Sequence, residues 1–90
     1  MNIAFKNSFL KALNKLKNKS LKDDIFEAIS IAEEAETLDV IPNLKKLKGY
    51  TVYFRMRMGD YRIGLKWEDD EQTLYFVTFD HRKDIYKKFP

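Results

Sequence analysis

The stretch YFRMRMGDYRIG, residues 53 to 64, constrains the fold of this 90-residue chain more than any other. Side chains along a strand alternate between faces, so Phe54, Met56 and Met58 point one way while Tyr53, Arg55 and Arg57 point the other. Gly59-Asp60 is a two-residue turn signal of the Gly-X kind, and after it Tyr61, Ile63, Leu65 and Trp67 alternate with Arg62, Gly64 and Lys66. Closing the hairpin on that loop sets Met58 opposite Tyr61, Arg57 opposite Arg62 and Met56 opposite Ile63. One face is then apolar, and the other gathers Arg55, Arg57 and Arg62. Like charges directly opposed across two strands are destabilising, so the cluster needs a reason outside the hairpin.

The remaining pattern supplies the elements around that hairpin. NIAF reads as a short first strand, and Asn7 or Ser8 is placed to cap a helix with Phe9, Leu10, Leu13 and Leu16 at helical spacing. Ser20 followed by Asp23 forms an acidic variant of the capping box. It opens a second amphipathic helix through Leu21, Ile25, Ala28, Ile29, Ala32 and Ala35, ending at about Glu36. The KNK link is short, so the two helices should form an antiparallel hairpin. Pro42 cannot extend a helix, and IPNLKKLKG reads as a loop anchored by Leu44 and Leu47. Strands are expected at about 51 to 58, 61 to 68 and 72 to 79, with EDDE turning between the last two. HRKDIYKKF reads as one helical turn or an extended tail. The expected fold is a single α+β domain, residues 1 to 90. It has two layers, with the N-terminal strand and helical hairpin packed on one face of a small antiparallel sheet. The arginines are then left on the open, concave face.

Composition narrows the setting. The chain has no cysteine, which removes disulfides and thiolate metal sites and fits an intracellular protein. No apolar run reaches signal-peptide length or the roughly 18 residues that span a bilayer. A soluble, cytoplasmic protein with no membrane partner is expected. Charge is unevenly spread: residues 1 to 22 hold six lysines and no acid, residues 23 to 39 seven acids and no base, and residues 41 to 90 eleven bases against seven acids. A basic sheet half attracts polyanions, of which nucleic acid is the commonest.

Guanidinium groups grip phosphate through paired hydrogen bonds and stay charged at any physiological pH. The plainer alternative is that the arginines solvate the sheet or pair with acids such as Asp80 and Asp84. Three of them on one patch, with Arg82 arriving from the end of the last strand, favour phosphate. Two residues are candidate proton carriers. His81 is the only histidine, and Tyr86 is a phenol, a poor base unless neighbouring cations favour its anion. Tyr50, Tyr53 and Tyr61 suit packing, and the first two also offer flat surfaces to unpaired bases. With three glycines there is no phosphate loop, and no nucleophile elbow is present. EDDE is a solubilising hairpin tip. No metal and no cofactor are expected.

A helical hairpin followed by RMRMGDYRIG and DHRKDIY resembles the RelE/ParE superfamily of toxins from type II toxin-antitoxin pairs, and within it the RelE-like mRNA interferases. The resemblance implies cleavage of messenger RNA in the ribosomal A site by a metal-independent endoribonuclease. A ribose 2′-hydroxyl attacks the adjacent phosphate, leaving a 2′,3′-cyclic phosphate and a 5′-hydroxyl. It implies a cognate RelB-like antitoxin protein and the ribosome with A-site message as partners. Carried onto this chain, the family positions fall on Arg55, Arg57, Arg62, Arg82 and Tyr86, with Lys83 beside them in the phosphate-binding set. Well-known RelE toxins carry lysines where Arg55 and Arg57 stand, and an arginine does not give up a proton as a lysine does. The base then falls to Tyr86, with His81 its rival, while Arg62 and Arg82 stabilise the phosphorane and the leaving oxygen. ParE-like proteins share the fold, inhibit DNA gyrase without cutting RNA, and generally lack the full basic-plus-tyrosine set; they are the alternative. A toxin fold that only binds an antitoxin is a third reading.

Overall fold

The structure, a computed structural model, describes residues 1 to 90. In chain order it has β1 Asn2–Phe5, α1 Asn7–Lys15, α2 Lys19–Glu34, β2 Leu44–Lys46, β3 Tyr53–Met58, β4 Tyr61–Glu68 and β5 Thr73–His81, with short 3₁₀ turns at Leu38–Val40 and Ile85–Lys87. The strands form one sheet in the order β1-β5-β4-β3-β2. Strands β2 to β5 are antiparallel, and β1 joins the far edge parallel to β5, with Ile3 opposite Leu74. The sheet is therefore mixed. A parallel neighbour cannot be reached through a tight turn, and here the helices and the other strands form the crossover.

The β3–β4 hairpin closes in the register that alternation demands: Met58 opposite Tyr61, Arg57 opposite Arg62, Met56 opposite Ile63. Gly59 carries the turn at φ 59°, a left-handed conformation that glycine adopts without cost. Phe54, Met56, Ile63 and Leu65 are buried on the helix-covered face, with Met58 packed at the margin of the same core. From the helices, Phe9, Leu21, Ile25, Ala28 and Ala32 fill it. A bulge at Gly64/Leu65 leaves Val77 as the extra residue of β5, since Gly64 pairs with Thr78 and Leu65 with Phe76. Phe76 and Phe79, three residues apart, consequently both enter the core.

Three expectations need correction. Residues 44 to 46 are not loop: they form β2, which places Lys45 opposite Arg55. Neither Asn7 nor Ser8 caps α1; Lys6 precedes it without a side-chain cap, and the Ser8 hydroxyl donates to the Val77 carbonyl, tying α1 to β5. The cap of α2 is Asn18, whose side chain accepts from the Leu21 backbone N–H at 3.0 Å, so that helix starts ahead of Ser20, and it ends at Glu34.

The second sheet face is also less open than alternation alone suggests. The C-terminal segment folds across it, and Leu47, Ile85 and Phe89 form a small buried cluster with Tyr53 and Val77 at its edge. Gly64 makes this possible: a Cβ there would lie 2.8 Å from the Phe89 ring. Lys88 Nζ reaches Asp80 at 2.5 Å and clips the tail down. Burial works against charge on the Asp80 carboxyl, but the Lys88 ammonium and the His81 backbone N–H hold it below its ordinary value of 3.8.

Gly64→Ala should therefore push Phe89 off the sheet, at a cost of about 1–3 kcal/mol. Amide exchange should show residues 85 to 89 losing protection well before α2; unchanged tail protection would mean that the ring is not seated there. The clip carries a pH signature. A carboxyl with a depressed folded value stabilises at full strength above its ordinary value, and the contribution disappears as pH falls through the lower folded one. Acidification below pH 4 should loosen the tail by no more than about 1 kcal/mol, the pair being partly exposed. Asp80→Asn should show the loosened tail at neutral pH and no further step in the acid range.

Candidate functional site

Beside the tail, on the face away from the helices, β2, β3 and β4 bring their cationic residues together. Lys45 lies opposite Arg55, Arg57 opposite Arg62, and Arg55 opposite Gly64. Lys45, Arg55, Arg57 and Arg62 line a recess of about 180 Å³ with Asn43 and no apolar residue. Asn43 sits at φ 66°, and its carbonyl accepts from the Arg57 backbone N–H at 3.3 Å, which closes one wall. Lys45 is the functional candidate that sequence reasoning missed. Its signal was the pairing of Leu44 with Met56, but three residues are too few for a period-two pattern to stand out.

No carboxylate lies within ion-pair distance of any of the four arginines; the salt bridges are Lys66–Glu68, Lys87–Asp84 and Lys88–Asp80. The absence of a pair at Arg62 has a local cause. Asp80 stands opposite Arg62 in the β4–β5 register, but its carboxylate is already engaged by Lys88 and by the His81 N–H. Arg62 turns instead to the hairpin, its Nη1 donating to the carbonyls of Gly59 at 2.7 Å and Tyr61 at 2.9 Å. That fixes the guanidinium at the rim while leaving other donors free. A positive recess with no internal counter-charge is suited to an anion.

Tyr86 lies in the tail and lines a second recess of about 440 Å³, which also contains Tyr50, Lys48 and Phe89. Arg55 lines both recesses, so the phenol borders the cation cluster through that one residue. The other sequence candidates stand apart. The Arg82 backbone N–H donates to the Asp60 carbonyl at 2.8 Å, so the chain leaves β5 beside the hairpin turn, and the Arg82 and Lys83 side chains are exposed outside the recess. His81 pairs with Tyr61, and their rings meet edge to face at 5.7 Å. This register puts His81 on the helix-side face, across the sheet from Arg57 and Arg62. Its Nδ1 accepts from the Lys83 backbone N–H at 3.2 Å, so one ring nitrogen is already committed. No three His, Asp or Glu side chains gather where they could hold a metal ion, and no helix is long and apolar enough to cross a membrane.

Residues 3–86 match the family model described as the ParE toxin of the type II toxin-antitoxin system parDE. Across the whole of both chains the sequence is 35% identical to Toxin RelE3 of Methanocaldococcus jannaschii. The RelB-RelE antitoxin-toxin complex from Methanococcus jannaschii superposes with a TM-score of 0.76 at 34% identity, over 97% of this chain and 99% of that one. The toxin-antitoxin complex RelBE2 from Mycobacterium tuberculosis gives 0.71 at 23% identity, over 90% and 96%, a likeness of fold.

Proposed function

This chain belongs to the RelE/ParE superfamily of toxins from type II toxin-antitoxin systems, and we propose that it is a metal-independent endoribonuclease that cuts messenger RNA in the ribosomal A site. The observation that carries this reading is the recess of Lys45, Arg55, Arg57 and Arg62, free of any carboxylate partner, with Tyr86 on the adjoining recess. In the proposed reaction the cations hold the scissile phosphate. The Tyr86 side-chain oxygen takes the proton of the neighbouring 2′-hydroxyl. The 2′-oxygen bonds to phosphorus, the bond to the 5′-oxygen breaks, and the leaving alkoxide collects a proton from water. The phosphorane carries more negative charge than the ground state, so donors placed around it lower the barrier. Arg62, held at the hairpin rim, and Arg82, leaving β5 next to it, serve the equatorial and leaving oxygens. Lys83 adds to the backbone-phosphate attraction, and His81, facing the other side of the sheet, is assigned no step.

Solved relatives that are RelB-RelE antitoxin-toxin complexes support a RelB-like antitoxin as the partner in the cell. An acidic antitoxin segment over the same recess would supply the counter-charge that this chain lacks. The ParE description of the family model favours a second reading, inhibition of DNA gyrase without nuclease activity.

Purified toxin on ribosomes programmed with a defined message separates these readings. Wild type should cut within the A-site codon and leave a 2′,3′-cyclic phosphate. Tyr86→Phe should bind programmed ribosomes as wild type does and cut about 10²–10⁴ slower. Arg57→Ala should lose about 10²–10³ in rate with weakened binding. An intact message, together with loss of gyrase supercoiling at the same toxin concentration, would establish the second reading instead. Near-normal cleavage by Tyr86→Phe, with His81→Ala inactive, would move the base to His81.

A further inference from the structure

The recess beside the cation cluster is built around a ring that the fold holds in place and leaves uncovered. Leu47 to Tyr50 form a tight turn, with the Tyr50 N–H donating to the Leu47 carbonyl at 3.1 Å and Gly49 in its third position at φ 86°, as a type II turn requires. Leu47 is buried in the small cluster under the tail, so the turn is anchored from below. The Tyr50 ring meets Tyr53 edge to face at 5.5 Å, and Tyr53 meets the buried Phe89 in the same way at 5.6 Å. This chain of three rings runs from the tail cluster to the surface. It ends on Tyr50 with 47% of that residue exposed. Tyr53 is the one aromatic ring that meets Tyr50, and an edge-to-face contact covers at most one face of the outer ring.

We propose that this recess, with Tyr50 as its platform, binds one unpaired nucleobase of the message, next to the nucleotide whose phosphate sits among the arginines. The proposal rests on the nuclease reading and deepens it. Three observations point to a base. The recess, at about 440 Å³, falls within the range of small-ligand pockets and contains Tyr86 as well as Tyr50, two tyrosines that are each about half exposed. Its charged side chains, those of Lys46, Lys48 and Arg55, are all cationic, which suits a polyanion. Arg55 belongs to both recesses, so one occupant that fills both must present an anion and a flat ring in adjacent positions, as a single nucleic-acid strand does. Tyr50 is thus a substrate-binding residue that fixes where along the message the phosphate recess engages.

The test pairs a protein variant with a message variant on programmed ribosomes. Tyr50→Ala should raise KM about 5- to 100-fold with kcat little changed, the pattern of a lost contact made equally in ground and transition states. Tyr50→Phe, which keeps the ring, should recover most of that loss. With the wild-type chain, an abasic nucleotide at one position beside the cut should raise KM to a similar degree. Placed against Tyr50→Ala, the same abasic message should add little, because both changes remove one contact. The abasic arm uses unaltered protein and does not depend on how well Tyr50→Ala folds. A wild type that cuts while Tyr50→Ala matches it in KM, or losses that simply add at every abasic position, would overturn the base site and leave the nuclease reading standing. Loss of antitoxin binding by Tyr50→Ala with message binding intact would assign the recess to the protein partner instead. A wild type that neither cuts nor binds programmed ribosomes would overturn both readings.

Discussion

Arg57 faces Arg62 across the central hairpin with no carboxylate within ion-pair distance of either, and the rest of the structure is arranged around that repulsion. Its cost is set by register. The pairing that opposes the two arginines also sends Phe54, Met56, Ile63 and Leu65 into the core. A slip of one residue would reverse every side chain between faces. Burying each large apolar side chain contributes about 1.5–3 kcal/mol, against a few tenths to 1 kcal/mol for a like-charged cross-strand pair. The core therefore dictates the register, and the cation cluster follows from it. β2 then adds Lys45 opposite Arg55 and deepens the positive recess.

The tail keeps that recess positive and sets what borders it. Seated on Gly64 by Phe89, the segment carries Lys88 to Asp80, the one carboxylate in register with Arg62. A surface ion pair of this kind contributes little to stability. Its larger effect is to occupy an acid that would otherwise stand ready to neutralise the arginine. The same segment brings Tyr86 into the recess shared with Arg55 and, through Phe89 and Tyr53, holds the ring of Tyr50.

How far the sequence revealed this depends on the range of each interaction. The hairpin register, the arginine face and the apolar face were legible because strand alternation and a Gly-X turn are local signals, and the structure reproduces them pair for pair. The two helices and the two-layer arrangement were legible for the same reason. What stayed hidden was either very short or distant along the chain. β2 has three residues, too few to show a period. Asn18 and Ser20 are both good capping residues, and only packing selects between them. The parallel pairing of β1 with β5, the Val77 bulge and the seat of Phe89 on Gly64 are contacts across long stretches of chain that no local pattern encodes. Tyr86 could be named as a site candidate, but its place beside Arg55 depends on that seat. His81 was within reach of the same alternation: pairing with Tyr61 sends it to the helix side of the sheet.

If the cation cluster exists for a ligand and does nothing for the fold, removing one charge should make the isolated chain more stable. The direct measurement is denaturant unfolding of Arg57→Gln against wild type, without partner or RNA, at low and high ionic strength. The account predicts that the variant is more stable at low salt by a few tenths to about 1 kcal/mol, with the difference shrinking as salt screens the repulsion. A variant that is less stable than wild type at low salt would show that Arg57 serves the fold and would contradict the account.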